Sequence, residues 1–358
     1  MTTQVSNIGE RSSFVTAQKH LPTSFAYVAA AVAVTIGVLV EVVLADEANW
    51  IGAGIWALLI FMALTIVAGF AVEGRRYGAD RVAASAVVAT FVLAVIPLIS
   101  LLYTVIANGW TRMSAGGFFT ATTFGSSIAG TVTGAGHAIV GTLMITGVTA
   151  LIAIPLGVLT AVYLVEYGRG PFAKTITFLV DVMTGIPSIV AGLFAAAMIP
   201  LANYWIFGEP QFKSGFAGSV ALVVLMTPIV IRNTEEHLRL VPNSLREASY
   251  ALGVTKARTI NKVVLRTSAS GIISGVVIAV ARVIGESAPL MITAGTTDHY
   301  STNLFTGQML TLPVYVYYEY KKGNQATAWA GALVLILLVL VLNLLARWIA
   351  KKFRPAGE

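Results

Sequence analysis

Eight stretches of this chain stay apolar for long enough to cross a hydrocarbon layer, and that limits the fold more than any motif does. They cover 25–45, 51–72, 82–107, 136–165, 175–200, 216–232, 268–294 and 326–349. A bilayer core of about 30 Å takes roughly 20 helical residues to cross. Only 11% of the 358 residues are charged, against about 25% in ordinary soluble proteins. The mean hydropathy of +0.82 agrees. The chain therefore reads as an all-α membrane protein with about eight transmembrane helices. Its lysines and arginines then orient it. With the N-terminus inside, eighteen of them fall in inner segments and four in outer ones. Basic residues concentrate on the cytoplasmic side, so both termini are expected there, in a multi-pass protein of the cell membrane. The expected organisation is a cytoplasmic segment 1–24, a transmembrane hairpin 25–72, a helical core 82–350 with a cytoplasmic loop 233–267, and a cytoplasmic tail 351–358.

Several function classes drop out. The net charge of +7 would suit nucleic acid, but most basic residues sit in short segments between apolar runs. Membrane lipid is the expected partner, and nucleic acid is not. With no cysteine there is no disulfide, thiolate catalysis or cysteine metal site. His20, His137, His237 and His299 match no zinc spacing, and no metal is expected. The polar N-terminus does not look like a cleaved signal peptide.

Two connections carry pattern. Residues 108–135 are rich in Gly, Ser and Thr. They read either as a flexible connector or as a mouth where small donors meet a hydrated anion. The stretch 243–265, "NSLREASYALGVTKARTINKVVL", reads as two short helices around Gly253. Ser244 followed by Glu247 predicts a capping box. Ala248, Ala251 and Leu252 form an apolar ridge, and Gly253 suits a left-handed helix end. Such a unit is either a helix lying on the membrane or one that fits a partner's groove.

The segment 279–295, "AVARVIGESAPLMITAG", holds Arg282 and Glu286 inside an apolar run. As an i, i+4 pair they would share one helix face, in the order less favourable for helix stability. A charge near mid-bilayer costs about 2.5–3.5 kcal/mol on insertion scales. Two readings stand: a neutralised pair that packs one helix on another, or a functional pair. Gly285 permits close approach, Ser287 adds a hydroxyl, and Pro289 predicts a kink. Asp181 is expected either to meet a cation in the bundle or to lie near headgroups. Pro187 and Ser188 predict a break in the fifth run. Arg232 is expected to snorkel beside Glu235 and Glu236, and Glu41 to reach headgroups. The run "YVYYEY" (315–320) is expected to form an interfacial belt.

A resemblance sharpens these readings. "EASYALG", then nine residues, then "VVL", resembles the EAA loop of ABC importer permeases. Glu247, Ala248 and Gly253 match it, while Ser249, Val263 and Arg266 replace the family's Ala, Ile and Pro. Residues 138–167, "GIPSIVAGLF" (185–194), 232–253 and 281–295 are similar to the PstA-type permease subunits of phosphate-specific importers. The resemblance implies a type I permease domain at roughly 136–347, preceded here by an added hairpin. It implies that Glu247, Ala248 and Gly253 couple to an ATPase. It also implies a phosphate path at Arg282, Glu286, Ser287 and Pro289, with Asp181, Pro187, Ser188 and Arg232 as weaker candidates. The implied partners are a second, PstC-like permease, a dimer of PstB-like ATPases and a PstS-like binding protein. The chain has no Gly-Lys dipeptide, hence no Walker A loop. It is expected not to be an enzyme and to hold no cofactor, with ATP and Mg in the partner ATPase. The rivals are a permease for another oxyanion such as sulfate or molybdate, a proton-coupled secondary transporter, and an intramembrane enzyme.

Overall fold

The computed structural model describes residues 21–352 apart from 23, 45–49, 125–132, 209 and 211. The expected terminal segments 1–24 and 351–358 thus lie almost wholly outside the described residues. Among those described there is no strand, and eight helices are long and apolar enough to cross a membrane. The chain forms two compact units, 1–103 and 104–358.

The first unit is built from α1 (Phe25–Leu44), α2 (Trp50–Val72) and most of α3 (Gly74–Met113). Lipid is as apolar as leucine, so helices here associate by close packing rather than by escape from water. The buried residues of α1 are accordingly small and four apart: Ala29, Ala33 and Gly37, then Glu41. A Cβ at Gly37 would lie 2.6 Å from the Ala57 nitrogen, so the two backbones nearly touch. Glu41 does not reach headgroups as expected. It is buried, and its carboxylate lies against Gly52 in the first turn of α2, where a helix N-terminus favours negative charge. Glu73 holds Arg81 at 2.6 Å and accepts the Leu21 N–H at 2.8 Å. Helix α3 has 40 residues, about 60 Å at 1.5 Å per residue, so it outruns the expected span 82–107.

The second unit centres on α4 (Gly136–Val162) and α7 (Gly215–Arg239). Ile145, Leu222, Met226 and Val230 fill the seam between and around them. Gly157 lets the helices close: a Cβ there would sit 2.7 Å from Val230 Cγ1. The Ser219 hydroxyl donates to the Ile145 carbonyl at 3.3 Å, and that of Thr149 to the Ser219 carbonyl at 3.3 Å. A π-turn, Tyr163–Tyr167, ends α4.

The fifth apolar run is not one span. It divides into α5 (Pro171–Thr184) and α6 (Ser188–Phe207), so the membrane-length helix begins at 188 rather than 175. Pro187 causes this, having no N–H to donate and excluding the helical conformation at Ile186. Helix α7 runs past the expected end at 232 to Arg239. Beyond it come α8 (Asn243–Ala251), α9 (Lys256–Thr259), a π-turn (Ile260–Val264) and α10 (Leu265–Val283). The second short helix is therefore the beginning of a membrane helix, which runs from Lys256 to Val283. Of the loop expected over 233–267, only 240–255 lies between long helices.

The chain then makes α11 (Ala288–Thr293), α12 (Leu312–Lys321) and α13 (Gln325–Lys352). The aromatic run is no simple belt. Tyr315 is fully buried, with its ring edge-on to His137 at 6.0 Å. Glu319 is buried and binds Lys322 at 3.0 Å and Asn324 at 3.0 Å. Only Tyr317 and Tyr320 are exposed as such a belt requires. The described part of 108–135 is pinned rather than flexible. Phe118 is buried under Arg112, and its carbonyl accepts the Ala135 N–H at 2.8 Å.

Candidate functional site

Two helix breaks and a proline-bearing helix meet at one place in the second unit. Helix α5 ends in Gly185–Pro187, α10 ends before Ile284–Ser287, and α7 carries Pro228 within its length. Between them lies a cleft of about 300 Å³ lined by Thr184, Pro187, Ser188, Pro228, Arg282 and Glu286, with apolar neighbours such as Ile229. Broken helices leave backbone groups without helical partners, which lipid does not tolerate unless they line a cavity or are covered by protein.

Arg282, Glu286, Pro187 and Ser188 are brought together here. The shared helical face expected for Arg282 and Glu286 is not present. Helix α10 stops at Val283, and Glu286 lies in the turn beyond it, its N–H donating to the Val283 carbonyl at 3.1 Å. The two side chains line the same cleft without forming an ion pair. Arg282 is exposed and Glu286 half-buried. A cation presented at the end of a helix is stabilised by the dipole there.

Ser287 and Pro289 do not line the cleft. Ser287 is the residue before α11 and makes no capping bond through its hydroxyl. Pro289 falls in the first turn of α11, where a missing N–H costs nothing, so it starts a helix rather than kinking one. It is buried against α6: a Cβ at Gly192 would lie 2.7 Å from Pro289 Cα. At Gly285 a Cβ would meet only the Arg282 carbonyl, at 3.7 Å, so among the described residues no other helix uses the space.

Asp181 and Arg232 sit outside the cleft and bind each other. Arg232 also donates to Glu235 at 2.9 Å, and Arg239 reaches the same carboxylate at 2.6 Å. Arg232 is paired beside Glu235, and its second carboxylate partner is Asp181 on α5. Helix α7 continues beyond it, so its guanidinium is held between α5 and α7.

Helix α8 has two distinct faces. Glu247, Ala248, Ala251 and Leu252 are exposed, Leu252 at 83%. The expected capping box is absent, because α8 starts after Pro242 and places Ser244 inside its first turn. Its end matches expectation. Gly253 has φ +74°, its N–H reaches the Tyr250 carbonyl at 2.9 Å, and the Val254 N–H reaches Ser249 at 3.2 Å, which is the Schellman pattern. The sequence reading missed the opposite face, where Arg246 binds Glu166 at 2.8 Å. The only signal was a charge at each border of an apolar run, 80 positions apart.

At the far end of α4 from Glu166 lies a second cavity of about 810 Å³, lined by Thr123, Asp298, His299, Tyr315, Glu319 and Lys322 among others. The His299 imidazole beside Asp298 holds that carboxyl below its usual range, and burial pushes the Tyr315 phenol up. Among the described residues no group of three or more metal-ligating side chains occurs.

A bundle of membrane-length helices, interrupted around a cleft that carries a cation and a carboxylate, is the architecture of a multi-pass permease. Residues 153–355 match the family described as binding-protein-dependent transport system inner membrane component. The chain belongs to this family, and within it to the PstA permeases. It is 44% identical over 245 residues to the phosphate transport system permease protein PstA 1 of Mycobacterium tuberculosis H37Rv, covering 68% of this chain and 78% of that one. It is 39% identical over 289 residues to the PstA of Yersinia pestis, covering 78% and 92%. A chain in the crystal structure of a bacterial alginate ABC transporter shares the fold, with a TM-score of 0.58 at 14% identity over 78% of this chain and 97% of that chain.

Proposed function

We propose that the chain is the permease subunit through which an ATP-driven importer passes inorganic phosphate into the cell. The observation that carries this is the cleft in which Arg282 ends one broken helix and faces Pro187 and Ser188 of another. Phosphate that leaves water needs donors to replace its hydration. A guanidinium supplies a planar fork matched to phosphate oxygens and stays protonated when buried. Too strong a grip would trap the ion, because conduction requires weak sites. Glu286 lines the same cleft and competes for Arg282, so phosphate is held only in passing. Ser188 and Thr184 add hydroxyls to the lining.

Alternating access would come from the interruptions. The half-helices α5/α6 and α10/α11 meet at short turns, and such turns absorb the backbone rotation of a hinge. The stroke would be supplied elsewhere, since this chain holds no phosphate-binding loop. A dimer of PstB-like ATPases, holding ATP and Mg, would dock on the exposed face of α8 at Glu247, Ala248 and the turn at Gly253. A PstC-like permease would complete the pathway, and a PstS-like protein would deliver phosphate on the outer side. The α8 end and both termini then face the cytoplasm, in the inner membrane.

The test is uptake of labelled phosphate by vesicles containing the complete complex, with ATP inside. ATP-dependent uptake that excess sulfate or molybdate does not compete away is expected. Uptake driven by a proton gradient without ATP, or equal competition by sulfate, would overturn the reading.

A further inference from the structure

Arg246 stands one residue before the exposed Glu247, yet it lies on the covered side of α8. Its side chain is 13% exposed, and its partner Glu166 6%. The guanidinium donates to Glu166 Oε1 through Nε at 3.1 Å and through Nη2 at 2.8 Å. Nη1 donates to the Val241 carbonyl at 2.6 Å and to Asn243 Oδ1 at 3.3 Å, and Nη2 to the Leu238 carbonyl at 3.0 Å. One cation thus joins three elements: α8 that carries it, the C-terminal turn of α7, and the π-turn that ends α4. The last carbonyls of a helix lack the usual partner four residues on; that of Leu238 accepts the Val241 N–H at 3.4 Å and the closer bond from Arg246, which thus caps the end of α7 as it grips it.

Two further ties fix the same helix. The Ser249 hydroxyl meets that of Thr259 at 2.8 Å, both buried, which holds α8 to α9. Lys256 donates to the Glu166 carbonyl and lies 4.5 Å over the Tyr167 ring. Helix α8 is therefore free on one face and clamped on the other. From the clamp, α4 runs up to Gly157, where it nests against Thr227 and Val230 of α7. Pro228 and Ile229 at that level line the cleft. Packed interfaces pass displacement along because they do not deform continuously.

We propose that Arg246, through Glu166, is the positioning residue that converts movement of α8 into movement of the α4–α7 pair, and so holds ATP hydrolysis and transport in step. This rests on the reading that an ATPase docks on the exposed face of α8. A buried ion pair is a poor device for stability alone, since its desolvation offsets most of its attraction. Arginine's rigid fork suits the transfer of a directional push better than a flexible ammonium does.

The experiment uses the whole complex, purified with its partners and reconstituted, and reads ATPase rate and phosphate uptake in the same vesicles. Glu166→Gln keeps the shape and leaves Arg246 its carbonyl partners. The ATPase is expected to stay bound and turn over at its usual rate, while uptake per ATP falls about tenfold, the effect of losing one coupling contact of ordinary strength. The native chain has no cysteine. The double variant Glu166→Cys, Arg246→Cys, in partners without reactive thiols, therefore allows a short bifunctional thiosulfonate to restore the tie. Uptake per ATP should rise on cross-linking and fall again on reduction. If both rates drop in proportion in Glu166→Gln, or the cross-link restores nothing, the proposal fails. Leu252→Asp on the exposed face tests the underlying reading separately. It should release the ATPase from the complex, and an ATPase that stays bound would overturn the docking reading whatever the Arg246 result.

Discussion

Arg282 and Glu286 share a cleft but not a helix: the first closes α10, the second lies in the turn after it, and no ion pair joins them. A pair locked on one helix face would answer only to each other. A cation and a carboxylate set on either side of a break are both available to a third charge that enters between them. In the proposed phosphate path the interruption therefore matters as much as the two residues.

The two charges should then behave oppositely on substitution. Arg282→Ala is expected to reduce phosphate uptake to background with normal membrane levels. Arg282→Lys should retain a fraction, since a point charge lacks the bidentate fork. Glu286→Gln removes the competitor for the guanidinium. It should lower both KM and kcat, because the ion is bound more tightly and released more slowly. Uptake kinetics with matched protein levels would check all three, and a rise in KM for Glu286→Gln would contradict the competition.

Close contact between half-helices gives a second test. A Cβ at Gly192 would fall 2.7 Å from Pro289 Cα, which is backbone and cannot turn aside. Gly192→Ala must therefore push α6 from α11. Overpacking of this kind costs about 1–3 kcal/mol. A lower Tm of the detergent-solubilised complex, with reduced uptake, is the expected result.

The Asp181–Arg232–Glu235 chain separates an exposed pair from a buried one. The Asp181 side chain is 60% exposed, whereas that of Glu235 is 8%. Asp181→Asn should change stability by less than about 1 kcal/mol, as exposed ion pairs do. Arg232→Ala should cost more, because Glu235 then keeps only Arg239. Thermal unfolding of the two single variants and the double variant would measure the difference, and equal effects would refute the ranking.

Much of this arrangement is legible in the sequence, and the failures share a cause. Apolar length located the spans, Pro187 the break before α6, and Gly253 the left-handed end of α8. Hydropathy measures partition into lipid, however, and cannot register a helix that stops inside an apolar run. Gly285, Glu286 and Ser287 interrupt the seventh run too briefly to alter its average, so Arg282 was expected within a helix that in fact ends beside it. Pairings across the fold are invisible for a different reason. Arg232 with Asp181 and Arg246 with Glu166 lie 51 and 80 positions apart, and nothing local to either residue names its partner. Glu41 was misplaced because its burial depends on Gly52, a residue of the neighbouring helix.

Ser249 offers the last test, since it stands where the motif resembled by 247–265 has its second alanine. Its hydroxyl meets that of Thr259 at 2.8 Å, and Thr259 is fully inaccessible. Ser249→Ala would match the motif more closely yet leave the Thr259 hydroxyl without this partner. An unsatisfied buried polar group costs about 1–3 kcal/mol, so the closer match should be the less stable protein. Changing Thr259 to Val alongside it removes the orphaned group and should recover most of the loss, because apolar replacement of both partners is nearly neutral. Thermal unfolding of the single and double variants decides the point. A Ser249→Ala protein as stable as the original would mean that this hydroxyl pair does not hold α8 to α9.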